Sequence, residues 1–299
     1  MTVWGGINKM HEKLDELLRT NIFQEVKDYH YINNETNVIV IDMENLDNVT
    51  KEKVIKDYYL KGFAIVELRD GIASERNLTK MTQWLNLGAP YIPRQYDKLP
   101  TTYNSQGLNV ITYSSTDSNS HRAFQTRNGQ NLHSDGTLEV IGFVKTSILF
   151  CEQTAENGGE TTLFNSVGAF FNVIKDYLNY ANALLDEKAL KRIDIGRTNQ
   201  ESIGPVFKIL NNELVSRFSM DNTCLWEHGF KNVPFLEEAY NYITSYINLD
   251  SPFYTEFSLK EGQGIIFAND KISHGRRKYY DSKEKQRKMH RGLYTERPF

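Results

Sequence analysis

Residues 127–139 read RNGQNLHSDGTLE, and at their centre His133 and Asp135 flank a single serine. Residues i and i+2 of a strand share a face. A strand running into its turn therefore aims this imidazole and this carboxylate at one point. Two His and one carboxylate form the facial set that holds iron(II) and leaves the opposite positions open. By itself the tripeptide is a weak signal, because the chain has 7 His and 38 Asp and Glu. A solvated surface turn is the plain alternative, and the rest of the chain has to decide.

The second imidazole best suited to such a centre is His274. It follows the buried strand Gly264-Ile-Ile-Phe-Ala268 through Asn269-Asp270-Lys-Ile-Ser, and Gly275-Arg276 comes next. The other histidines have ordinary readings. His11 and His30 sit in an N-terminal helical region, His121 in a polar loop, and His228 in a turn after Trp226. His290 alternates away from Arg287 and Arg291 on the last strand.

Outward from this centre, helix and strand periods alternate along the chain. Helical spacing covers about 7–30, 48–61, 74–87, 166–185 and 235–247. Strands are expected at 37–42, 62–67, 142–151, 161–164, 254–259, 264–268 and 287–294. Asn211-Asn212 marks a hairpin between 206 and 218. Asn48 or Thr50 is expected to cap the second helix. Residues 89–131, rich in Ser, Asn, Tyr and Gln, read as an active-site loop or lid. Strands spread from end to end, so 1–299 is expected to form a single domain. The class is α+β with a mainly β core, a sandwich or barrel with flanking helices.

Composition narrows the function. A formal net charge of −3 gives no basic surplus for phosphate backbones, so no nucleic-acid partner is expected. Two cysteines, Cys151 and Cys224, do not make a disulfide scaffold. No basic leader followed by an apolar run opens the chain, and no stretch nears about 18 apolar residues. A cytoplasmic enzyme without a membrane partner is expected.

In order, Gly62-Phe-Ala-Ile-Val, His133-Ser-Asp135-Gly-Thr137, Gly158-Gly159-Glu160-Thr161, Phe267-Ala-Asn269, His274-Gly275-Arg276 and Arg287-Lys-Met-His-Arg291 resemble the Fe(II)- and 2-oxoglutarate-dependent oxygenases of the taurine dioxygenase and clavaminate synthase-like type. The resemblance spans about 38–294. It implies a double-stranded β-helix, or jelly-roll, with His133, Asp135 and His274 as iron ligands. Thr161 and Arg287 would hold the distal carboxylate of 2-oxoglutarate, Arg287 through its planar fork. Iron(II), 2-oxoglutarate and O2 would together hydroxylate a C–H bond, giving succinate and CO2. The ligand Asp135 argues against halogenation. The resemblance leaves room for a homodimer.

The substrate is expected to be a small polar molecule, an amino acid or another carboxylate or sulfonate. Arg291, Asn131, Arg122 and Asp221 are the candidate contacts. Arg276 is ambiguous. The same core also desaturates, cyclises or epimerises. A zinc hydrolase using the same His/Asp/His set is the reading from another class, with Glu139 as its base.

Overall fold

The computed structural model describes residues 24–32, 37–93, 103–113, 126–136, 138–194 and 200–299. The strand Phe63–Leu68 explains the layering. Phe63 and Ile65 belong to a cluster with Cys151, Leu163, Ile265, Phe267 and Met289. Ala64, Val66 and Leu68 pack instead with Val54, Tyr58, Leu78 and Met81 on helices. A strand apolar on both faces is buried on both faces, and this one separates the jelly-roll interior from an outer helical layer.

That strand lies in a six-stranded sheet ordered Val38–Ile41, Phe63–Leu68, Gln263–Ala268, Thr146–Gln153, Lys288–Tyr294, Asn109–Thr112. Facing it is a four-stranded sheet ordered Tyr254–Phe257, Thr161–Phe164, Ser273–Arg276, Gln130–His133. Leu163 of the smaller sheet shares a cluster with Ile265 and Phe267 of the larger, so the two inner faces meet. Pairing within both is antiparallel, except for Val38–Ile41 with Phe63–Leu68. The helix Asn48–Lys61 makes the crossover that this parallel pair requires. Behind the smaller sheet, helices Ser166–Asp176, Leu178–Leu184 and Leu236–Thr244 form a second core with Leu132 and Phe164. The jelly-roll with flanking helices is the architecture the sequence led us to expect.

Local chemistry adjusts several boundaries. Asp47, rather than Asn48 or Thr50, caps the Asn48–Lys61 helix by accepting from Thr50 N at 2.8 Å. The helical period over 166–185 is two helices, broken at Tyr177, where φ is −146° and ψ 86°. Asn211 and Asn212 both take positive φ, 50° and 63°, as a two-residue hairpin turn demands. They join Phe207–Leu210 to Glu213–Ser216. Within the stretch read as a loop, Asn109–Thr112 is an edge strand against Lys288–Tyr294. No helix among the described residues is long and apolar enough to cross a membrane.

Of the expected N-terminal helices, only Gln24–Asp28 falls among the described residues. Its tether is Asn165, fully buried. That side chain caps Ser166–Asp176 by accepting from Gly168 N at 2.9 Å, and donates to the carbonyls of Val26 and Tyr29 at 2.5 and 3.3 Å. Asn165→Ala removes a cap and leaves carbonyls unpaired. It is expected to cost about 2 kcal/mol in a urea unfolding titration; an unchanged midpoint would show the tether to be idle.

Candidate active site

His133 ends the Gln130–His133 strand, and its cross-strand partner is His274. Directly opposed antiparallel residues bring their side chains together, and here the ring centroids are 4.2 Å apart. Asp135, two residues past His133, adds its carboxylate. Oδ1 lies 4.0 Å from His133 Nε2 and Oδ2 lies 3.8 Å from His274 Nε2. One nitrogen or oxygen from each residue fits within a 4.8 Å spread, and these three form the one such His/Cys/Asp/Glu group among the described residues. Gly275 makes the approach feasible: a Cβ there would sit 2.6 Å from the Gln130 carbonyl oxygen and 2.7 Å from Thr162 Oγ1.

The protonation states suit a divalent cation. His133 Nδ1 lies 3.0 Å from its neighbour's carbonyl, Asn131 O. The nitrogen therefore carries the proton, and Nε2 keeps its lone pair. Burial, then the neighbouring His133 imidazole, pushes His274 down to about 3, so its ring is neutral. Burial opposes ionisation of Asp135, but the Arg291 guanidinium, with His274, His133 and the Ser147 hydroxyl behind it, holds the carboxyl far below the usual range. Two imidazole nitrogens and one carboxylate are the donor set that iron(II), and other divalent metals, accept.

The supporting residues come from far along the chain. Asn269 Oδ1 accepts from Asp135 N at 2.7 Å, and Asn269 Nδ2 donates to Asp135 O at 3.2 Å and Val144 O at 2.9 Å. Ser147 Oγ donates to Asp135 Oδ2 at 2.8 Å. Arg192 Nη1 donates to the carbonyl of Ser134 at 3.1 Å. Gln130 Nε2 approaches His133 Nε2 to 3.2 Å. Only Asn269 carried a signal in the sequence, as the polar residue closing a buried strand.

Thr161 and Arg287 share the lining of a cavity of about 250 Å³ with Gly158, Gly159, Cys151 and Met289. Gly159, at φ 82°, makes room, since a Cβ would stand 3.2 Å from Arg287 Nε. Among the described residues the Arg287 guanidinium meets no carboxylate and no hydrogen-bond acceptor, although the residue is 5% exposed. Burial and then the neighbouring Arg276 push it down to about 10, so it stays charged at neutral pH. A buried cation without an anion is costly unless a ligand supplies one.

The expected substrate contacts fare differently. Arg291 Nη1 donates to Asp135 Oδ1 and Nη2 to the Tyr103 hydroxyl, at 3.0 and 3.2 Å. Asn131 is exposed at the strand and donates to Met220 O at 3.3 Å. Asp221 already faces a cation of the protein, Arg192 at 3.8 Å, and accepts from Thr223. Arg122, like His121, lies outside the described residues. Glu139, the base a zinc hydrolase would use, is engaged by the Tyr91 hydroxyl. His290 turns to Glu152, at 2.6 Å, as strand alternation required.

Known proteins match this chain along most of its length. The family model described as taurine catabolism dioxygenase TauD, TfdA family, matches residues 25–293. A uridine-5'-phosphate dioxygenase from Amycolatopsis sp is 34% identical over 255 residues, covering 84% of this chain and 91% of that protein. One from Streptomyces sp is 28% identical, covering 79% and 86%. Among solved structures, asparagine oxygenase with Fe(II), 2S,3S-3-hydroxyasparagine and succinate shares the fold. Its TM-score is 0.63 at 11% identity, covering 85% of this chain and 81% of that one. The non-heme iron oxygenase OrfP with Fe and alpha-ketoglutaric acid gives 0.58 at 13% identity, with the same coverage. The chain belongs to the TauD/TfdA family of dioxygenases, non-haem iron enzymes that use 2-oxoglutarate.

Proposed function

We propose that His133, Asp135 and His274 hold iron(II), that Thr161 and Arg287 hold 2-oxoglutarate, and that the enzyme oxidises a C–H bond of a nucleoside 5'-phosphate, with uridine 5'-phosphate the first candidate. The observation that carries the chemistry is the buried triad, on a sheet whose paired strands also carry Thr161, one lining residue of the cavity that holds the uncompensated Arg287 guanidinium. The substrate class rests on the 34% identity to a uridine-5'-phosphate dioxygenase across most of both chains. A nucleoside phosphate takes the place of the amino acid, carboxylate or sulfonate expected from the sequence.

Iron(II) with 2-oxoglutarate and O2 supplies the C–H oxidation when bound, with succinate and CO2 as co-products. The chain's own residues supply placement and polarity. The Asn131 carbonyl fixes the tautomer of His133, a common way of orienting a metal-binding imidazole. Ser147 and Asn269 hold Asp135 by side chain and backbone. Arg291, beside Asp135, is the guanidinium we assign to the anionic group of the substrate. Its fork matches phosphate as well as carboxylate.

Succinate formation measured against a panel of nucleoside 5'-phosphates, asparagine and taurine tests the reading. Uridine 5'-phosphate is expected to raise turnover at least about tenfold over the substrate-free rate, the gain that correct substrate positioning alone readily supplies. Stimulation by amino acids or sulfonates alone would overturn the substrate class but not the chemistry. Succinate formation with no substrate and no metal would overturn both.

A further inference from the structure

Arg192 is 1% exposed and lies outside both jelly-roll sheets, on the strand Leu190–Ile193 of a three-stranded sheet. Its guanidinium reaches two different groups. Nη1 donates to the carbonyl of Ser134, the residue between His133 and Asp135, at 3.1 Å. Nη2 lies 3.8 Å from Asp221 Oδ1, and Nε and Nη2 donate to the Thr223 hydroxyl at 3.2 and 3.1 Å. One guanidinium thus stands between the metal-binding loop and the Asp221 carboxylate.

Other contacts bring the 219–221 segment against the same loop. Ser134 N donates to Ser219 Oγ at 3.0 Å, and Met220 N to the carbonyl of Leu132 at 2.7 Å. Burial opposes ionisation of Asp221, but the Arg192 guanidinium, with His133 and Thr223 behind it, holds the carboxyl below the usual range. It is therefore charged at neutral pH. Its field reaches the second imidazole, where it opposes the burial that keeps the His274 ring neutral. The Asp221 side chain is 15% exposed, so it is not sealed from solvent.

The triad is flanked by two carboxylates, each matched by a guanidinium. Asp135 has Arg291 at 3.0 Å, and Asp221 has Arg192 at 3.8 Å. The charge of Asp135 serves the metal. The charge of Asp221, left alone, would stand where a phosphate has to approach, and a like charge near a poorly solvated site repels far more than in water. Arg217 does not take the place of Arg192. Its donors go to Pro205 O, Leu190 O and the Ser202 hydroxyl, at 2.8, 3.0 and 3.2 Å.

We propose that Arg192 is a positioning residue that cancels the charge of Asp221 while it steadies the Ser134 carbonyl, and that this pair sets the preference for an anionic over a neutral nucleoside. The proposal rests on the nucleoside 5'-phosphate reading given above. It requires no contact between Asp221 and the substrate, only the Coulomb field of the pair.

The test uses full-length Mn(II)-loaded protein with 2-oxoglutarate and without O2. Calorimetric titrations with uridine 5'-phosphate and with uridine, its uncharged counterpart, separate charge from shape. Asp221→Asn leaves Arg192 unopposed. It is expected to tighten uridine 5'-phosphate about fivefold, the low end of ordinary coupling between sites, to leave uridine unchanged, and to weaken Mn(II). Arg192→Gln is expected to weaken uridine 5'-phosphate about fivefold with uridine unchanged. Arg192→Lys, which keeps the charge, should hold the wild-type ratio of the two affinities, and Arg192→Gln with Asp221→Asn should restore it. Should Arg192→Gln not fold, Asp221→Asn carries the test by itself. A role in folding alone would move metal and phosphate in one direction. Such a parallel shift in Asp221→Asn, equal weakening of both nucleosides, or a ratio not restored in the double variant would each overturn the proposal. Failure of the wild type to bind uridine 5'-phosphate would instead overturn the substrate reading. The Mn(II) affinity of Asp221→Asn then decides the charge pair, which an undiminished affinity overturns.

Discussion

Asp135→Ala is expected to remove metal binding and turnover together. The variant keeps two imidazoles but loses the only formal negative charge in the triad. Losing an outer partner of a ligand typically weakens a metal about 10–100-fold, and losing a ligand that carries the charge is expected to weaken it by more. The change has a second, separable effect. Arg291 donates to Asp135 at 3.0 Å with both side chains nearly buried, and removing one member of a buried pair costs about 3–5 kcal/mol. Asp135→Asn retains the shape while abolishing the charge, so it separates these effects. It is expected to lose the metal and to unfold at a urea concentration between wild type and Asp135→Ala. Metal content by mass spectrometry and unfolding of the metal-free proteins measure both. Undiminished Mn(II) affinity in Asp135→Ala would remove this triad from the chemistry.

Arg287→Ala is expected to spare the metal and abolish the cosubstrate. Leaving a buried carboxylate of a ligand without its cation costs about 2–5 kcal/mol, or roughly 1.5 to 3.5 orders of magnitude in affinity. The anaerobic visible charge-transfer band of iron(II) with 2-oxoglutarate should therefore be absent at concentrations that saturate wild type. Arg287→Lys is expected to recover only part of the affinity, because an ammonium is a point charge without the planar fork. Stability should respond in the opposite sense to that of Asp135→Ala. Arg287 has no anionic partner in the described protein, so its loss relieves an uncompensated buried charge, and the metal-free variant should melt no lower than wild type. A charge-transfer band of normal strength in Arg287→Ala would sink the assignment.

Much of this site was legible because its chemistry is local or repeats with the strand period. His133 and Asp135 are two residues apart. Arg287 and Arg291 share one edge of a strand-like run, and His274 closes a run of buried aliphatics. The Asn211-Asn212 turn is equally local, its side chains tolerating positive φ. What could not be read depends on tertiary contact. Nothing near Ser147 or Asn269 says that they will meet Asp135, and nothing near Asp221 says that Arg192 will face it. The strand Asn109–Thr112 was hidden because only Val110 and Ile111 are apolar, and the sheet edge it completes is distant in sequence. The break at Tyr177 escaped because both helices continue the same apolar face into one core.

The Asn269 side chain carries a further consequence for how the enzyme acquires its metal. It grips Asp135 across 134 residues of chain, and His274 reaches His133 only when two strands of the smaller sheet are in register. Contacts this far apart in sequence form late in folding. A nascent or partly unfolded chain therefore presents at most the adjacent His133 and Asp135, not the three-residue set, and gives redox-active iron little purchase. Metal loading is thus reserved for the finished fold, and by mass action the loaded metal in turn draws the population toward that fold.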